Sequence, residues 1–526
     1  GTVSVNMLSN STRAYGGLGG VVESADLFVM ENGATLQTTE TVTQGSPMKM
    51  EGKDGGCVEN LKDFIVETPV EGTLLTKKGD GWMKLNTVCP SLERLAINGG
   101  TVQCVACDRP AQTVEFISGT LYENTGSSYA IHVPEGGSGT WSLANRSTYN
   151  NKITGEGTLT IYCAVEHGNG WFATRTPVAV NLSLFTGTIN ATADMADSYP
   201  RFTLNTSSGM PDGTLNITAG VTVQNTGRTF RIGKLAGKGT LGGYASFAND
   251  GATGVNTWQV GCDDDFAWAG TVTANSKFEK VGSGKMTVSG VWDNTGEVAV
   301  KEGTLCLNDR SAENAMLGSG ELSVEDGAVL CGMGKLGNAS VTVERGGRLY
   351  SGTREGASSG TLDFSGKRLT VSTGGEVLFN VASKVRCTTL EGISSFSLRG
   401  TLKVSVREGL ELEAGDEFQL WVANRTALSS ACTLDLDSPG EGLEWDTSAL
   451  ENGILKVKTA TGITGVVSGE PVDCVVYTLD GARAGSFTCM PSEVGEYMER
   501  NGFRSGMYMV KMTQGQRTES RKVTVD

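Results

Sequence analysis

Histidine is almost missing from this chain. His132 and His167 are the only two among 526 residues, and no serine lies in a Gly-x-Ser-x-Gly arrangement followed by plausible partners. Hydrolytic triads and two-histidine metal sites therefore have almost no raw material. Proline is scarce, at 11 residues, and aromatics make up only 7%. That scarcity excludes collagen, which also needs glycine at every third position. No stretch approaches the ~20 apolar residues of a membrane-spanning helix. No positively charged and then apolar leader follows Gly1, so the start reads as a mature or trimmed end. Basic clusters are missing too: the formal charge of −15 is spread along the chain, which argues against nucleic acid or anionic lipid as partner.

What is abundant is glycine, 73 residues, about double the usual share of roughly 7%. Thr-, Val- and Leu-rich segments separate the glycines, so the chain is not composed like a disordered one. Its length exceeds what one compact core usually organises. An elongated all-β repeat body with many tight turns satisfies all of these conditions.

Two short patterns recur. The first is Gly-x-Gly-x-Φ-x-Φ, with Φ apolar: Gly79 to Leu85, Gly137 to Leu143, Gly155 to Ile161, Gly282 to Val288 and Gly318 to Val324. The second is Φ-x-Φ-x-x-Gly-x-x-Φ, from Phe28 to Leu36, Leu215 to Val223, Leu322 to Leu330, Val341 to Leu349 and Leu369 to Val377. Alternation with period two makes each Φ-x-Φ a short strand with one face toward a core, and the glycines mark bends between strands. Strands this short cannot bury enough surface alone, so the repeats must stack.

These features predict a single-stranded right-handed parallel β-helix over residues 1–458, with a linker at 459–469 and a small β-sandwich-like domain over 470–526. At roughly 20 to 25 residues per turn the body would contain on the order of 20 coils. A β-propeller is the structural rival, but its blades of about 40 to 50 residues fit the 19-residue interval between Leu322 and Val341 poorly. The one segment with any helical character is Pro491 to Arg500.

Thr257 to Leu307 resembles the autotransporter-associated β-strand repeat. Lys280, Gly282, Gly284, Gly290, Gly296 and Gly303 fall where that pattern places them, and a less complete copy spans Leu75 to Cys104. Gly318 to Gly352 looks like the usual continuation, and Gly442 to Leu450 with Gly453 to Val457 is similar to the closing strand pair of such helices. The resemblance implies a surface protein of a bacterium, often an adhesin shaft or passenger. The tail resembles C-terminal modules of Bacteroidetes surface and secreted proteins, including type IX sorting signals, through Val475 to Gly481, Gly506 to Met512 and Arg521 to Val525. It is too short after Thr461 for a fused membrane barrel.

The expected function is a non-catalytic, secreted or cell-surface rod that presents loops for adhesion or glycan contact. The rival is a β-helix polysaccharide lyase or glycoside hydrolase, which would gather paired carboxylates, or a basic residue beside Ca²⁺, in one groove. Trp171, Trp268 and Trp292 are candidates for stacking on sugars if exposed, against the plainer reading that they pack in loops. Asp263, Asp264 and Asp265 are candidates for Ca²⁺, against a solvated turn, since the ligand spacing of a calcium loop is missing. Cys104 and Cys107 form one C-x-x-C without a second pair, and the twelve cysteines read better as small core residues than as a metal or disulfide framework. Gly237 to Gly242 and Gly332 to Gly337 match Gly-x-Gly-x-x-Gly, yet neither precedes a helical pattern, so no nucleotide site is expected. No cofactor is expected, glycans or host cell-surface molecules are the expected partners, and the protein is expected to be a monomer.

Overall fold

The computed structural model describes residues 2–5, 27–123, 126–143, 149–163, 177–178, 180–193, 201–204, 206–225, 228–243, 255–273, 275–308, 316–460, 469–515 and 517–525. The chain winds into a parallel β-solenoid of about 15 turns. The strand pairings that build it are parallel and link each coil to the next, which excludes the antiparallel blades of a propeller.

The alternation seen in the sequence sets the coil faces. Leu322, Val341, Leu369 and Phe396 pair in one column, and Val324, Val343, Val371 and Leu398 in the next but one. All eight side chains are buried. Each apolar side chain is thus covered by its counterparts above and below, and full burial contributes roughly 1.5–3 kcal/mol per residue. One continuous apolar core runs from Met30 to Val457.

Glycine is required where the backbone of one coil presses on another. Gly155 has φ +111°, and a Cβ there would lie 1.9 Å from the Val133 carbonyl oxygen of the preceding coil. No L side chain fits that position without moving a coil.

The coils are longer than the sequence intervals suggest, which corrects their number from about 20 to about 15. Hydrogen-bonded partners on adjacent coils are 19 residues apart at Val70 and Cys89, 28 at Arg348 and Glu376, and 31 at Val406 and Asp437. Loops such as 352–360 and the hairpin at 381–387 add residues without adding coils. At ~4.8 Å per coil the rod is about 70 Å long.

The strand pair expected near the end of the body is present: Leu443–Asp446 runs antiparallel to Ile454–Thr459, with Glu417–Gln419 on the other side. Phe418, Leu455 and Val457 join the main core, so this small sheet covers apolar surface that the last parallel coil leaves open.

The tail has its own core. Val472–Thr478, Arg483–Cys489, Gly506–Gln514 and Arg517–Val525 form one antiparallel sheet, joined first by a tight turn in which Gly481 has φ +89°. The helix Val494–Arg500 supplies the second layer, placing Val494 and Met498 against Val472, Val476 and Val510.

Candidate functional site

Three charged side chains are fully buried among the described residues: Lys77, Glu123 and Lys280. Lys77 and Lys280 lie in the two segments, Leu75 to Cys104 and Thr257 to Leu307, whose sequences share one pattern. Lys280 donates to the carbonyls of Val281 (2.9 Å), Gly282 (2.7 Å) and, on the next coil, Glu302 (3.1 Å). Burial lowers the pKa of each lysine to about 8.

Glu123 carries no signal in the sequence. Its carboxylate accepts from Tyr129 Oη (2.6 Å) and Trp141 Nε1 (2.7 Å), and Ser127 Oγ lies 3.0 Å away. Asn151 completes the group by donating to the Tyr129 carbonyl at 2.9 Å. Burial pushes the Glu123 pKa up to about 7 against the opposing pull of those donors. The cluster is sealed from solvent, so it organises the coils around it and offers no opening to a ligand. The nearby Cys89, Cys104 and Cys107 are buried as small apolar residues.

The aspartate run is not brought together around a cation. Asp263 accepts from the Ser283 hydroxyl at 2.7 Å, Asp264 pairs with Lys234 at 2.6 Å, and Asp265 accepts from the Lys285 amide at 2.8 Å. Each carboxylate has its own partner on a neighbouring coil, and the Ser283 hydroxyl holds the Asp263 pKa below its ordinary value. Among the described residues no group of three or more His, Cys, Asp or Glu could hold a metal ion.

Two of the three tryptophan candidates are corrected. Trp268 and Trp292 lie inside the solenoid, with ring centroids 5.9 Å apart and Phe278 at 4.6 Å from Trp292. Their area is spent on the core, and neither can stack on a sugar. Trp171 lies outside the described residues, as does His167. His132 Nδ1 is 3.1 Å from Thr154 Oγ1, a contact between neighbouring coils.

The exposed tryptophan among the described residues is Trp82, at 41% exposure, and the sequence pattern does not single it out. It heads an outward column that runs in register through Thr101, Thr120, Thr140, Thr160, Asn190 and Asn216. Tyr122, on the adjacent column, sits with its ring centroid 6.4 Å from that of Trp82. Within the column Asn216 donates to Asn190 at 2.9 Å. The result is one exposed indole, backed by the buried ring of Tyr122, followed by hydroxyl and amide groups repeating once per coil, at ~4.8 Å.

A second lateral feature surrounds the 352–360 loop, which folds over the outward-facing column of Cys306, Cys331, Tyr350 and Leu378 and buries it. Arg348 ties the loop down, bonding Glu355 at 3.0 Å and Glu376 at 2.8 Å, and Lys285 donates to the Thr353 carbonyl at 2.5 Å. On one side of the loop is a cavity of about 420 Å³ with Lys335 and Asp363 in its wall. On the other is one of about 490 Å³.

The chain matches no known protein family, and no curated protein is similar to it.

Proposed function

We propose that this chain is a non-catalytic rod, secreted by or displayed on the surface of a bacterium, that contacts glycans along its side. The observation that supports the reading best is the column headed by Trp82. An exposed indole beside Tyr122 offers a face on which a sugar ring can stack, and the following threonines and asparagines offer donors and acceptors at a fixed spacing. A relationship to the autotransporter-associated β-strand repeat proteins is part of the proposal. Lys77 and Lys280, which sit at the same place in both repeat copies, make the same carbonyl contacts. The tail is proposed to act as a sorting-type module, in keeping with its compact independent core.

A hydrolytic role finds less support. Each of the two cavities beside the 352–360 loop has one carboxylate in its wall, Asp363 or Glu408, where acid–base cleavage of a glycosidic bond uses two.

A glycan array tests the proposal, read with the wild-type chain and Trp82→Ala. Binding that drops at least tenfold in the variant supports it. Wild-type protein that retains no glycan at any concentration overturns it, and release of oligosaccharide products from a polysaccharide panel would establish the enzymatic alternative.

A further inference from the structure

The cavity of about 490 Å³ is floored by the outward face of two adjacent strands, Glu376–Ser383 and Thr401–Val406, and walled by the 352–360 loop. Asn380 and Ser405 are register partners on that floor, and Arg354, Ser358 and Arg407 stand around it. Three features set it apart from the rest of a surface that carries an excess of 15 negative charges.

Asn380 is 5% exposed, and its Nδ2 has no hydrogen-bond partner. A buried N–H donor left unmatched costs roughly 1–3 kcal/mol, so such a group at the floor of a cavity calls for an acceptor from outside the chain. Neither Arg354 nor Arg407 forms an ion pair with a carboxylate among the described residues, whereas Arg348 beneath the same loop holds two. The guanidinium fork is shaped for planar oxyanions and is the group of choice for a carboxylate. Finally, the wall is fixed in advance. The Arg348 pairs, the Lys285–Thr353 contact and a Ser351 Oγ bond to the Gly360 carbonyl at 3.2 Å hold the loop without any ligand. Binding then costs little ordering.

We infer that this cavity binds the carboxylate of an acidic sugar, with Arg354 and Arg407 taking the carboxylate and Asn380 Nδ2, Ser358 and Ser405 bonding the ring oxygens. The volume falls in the range of small-ligand pockets. Glu408 on the rim is the one carboxylate in the lining, and it accepts from sugar hydroxyls. The inference rests on the glycan-contact reading, but it uses a different surface from the Trp82 column.

Calorimetric titration with trigalacturonate, and with neutral galactotriose as control, separates the two. Wild-type protein is expected to bind trigalacturonate and not galactotriose at this site. Arg407→Gln and Arg354→Gln should each weaken binding at least tenfold, Asn380→Leu should weaken it several-fold, and Lys53→Gln, an exposed lysine on a distant coil, should leave it unchanged. Raising the salt to 0.5 M should weaken it in wild type more than in the arginine variants, as screening of a charge-assisted contact requires. Trigalacturonate binding that survives both arginine substitutions and disappears in Trp82→Ala overturns the cavity inference and leaves the glycan reading standing. Equal binding of the neutral sugar does the same. Failure of every glycan on the array sinks both.

Discussion

Lys77 and Lys280 occupy equivalent positions in two distant coils, and each closes the same turn. Lys77 donates to the carbonyls of Lys78, Gly79 and Gly99, and Lys280 to those of Val281, Gly282 and Glu302. The third acceptor is 22 residues on in both cases, so the ammonium joins a turn to the coil that follows it.

Replacing Lys280 by methionine keeps the stem and removes the three donors. Three carbonyls are then left without a partner, at roughly 1–3 kcal/mol each. The relief of a buried charge is worth about 3 kcal/mol, taken from a pKa lowered from 10.5 to about 8. Loss of the bonds outweighs it, and Lys280→Met is expected to destabilise locally by about 2–4 kcal/mol. Because a solenoid is stabilised through neighbours, hydrogen exchange should speed up at Gly282 and Gly303 and stay unchanged in coils farther away. Uniform loss of protection along the rod would contradict this account.

Glu123 makes stability depend on pH in a defined direction. Its folded pKa, about 7, lies above the ordinary 4.5, so the folded chain holds this proton more tightly than the unfolded chain. The contribution is fully present below pH 4.5 and is lost as pH rises through 7, by up to about 3 kcal/mol. Glu123→Gln keeps the shape and removes the titration. The difference in unfolding free energy between wild type and variant should therefore fall between pH 4.5 and 7, measured by denaturant titration at each pH. A difference that stays flat would show that Glu123 is not the group responsible.

Gly155→Ala and Gly136→Ala form a matched pair. Both glycines have positive φ, but a Cβ at Gly155 runs into the Val133 carbonyl, while at Gly136 it meets open space. The first substitution should cost more than about 2 kcal/mol, and the second about 1 kcal/mol. Thermal melts of the two variants should rank in that order.

Trp292→Ala opens a hole between Trp268 and Phe278 and is expected to cost about 3–5 kcal/mol. Glycan binding, read on the same array as Trp82→Ala, should not change. A loss of binding without a loss of stability would return Trp292 to the surface.

The short Φ-x-Φ segments, their glycine bends and the stacking they demand are legible in the amino-acid order, because period-two alternation has one physical use. The helix Val494–Arg500 likewise falls in Pro491 to Arg500, the one segment whose sequence has helical character. The place of Lys280 in its repeat can be read, but not its task, since the carbonyl of Glu302 comes within reach only once the next coil is laid down. Trp268 and Trp292 differ from expectation for a related reason: a residue beside a polar turn can point either way, and packing against Phe278 decides. Glu123 is silent in the sequence because its seal is assembled from Tyr129, Trp141 and Asn151, which lie 6 to 28 residues further along the chain and meet it only across coils.

Local order along the chain therefore determined that this protein is a stacked β-structure and that the Φ positions of its alternating segments face inward. Tertiary structure alone decided which groups meet across coils: the Trp82 column, the tie of Arg348 to the 352–360 loop, and the pairing of Asn380 with Ser405 below it. Strand formation depends on alternation between adjacent residues, whereas a site depends on the register between coils and on the path of each inserted loop.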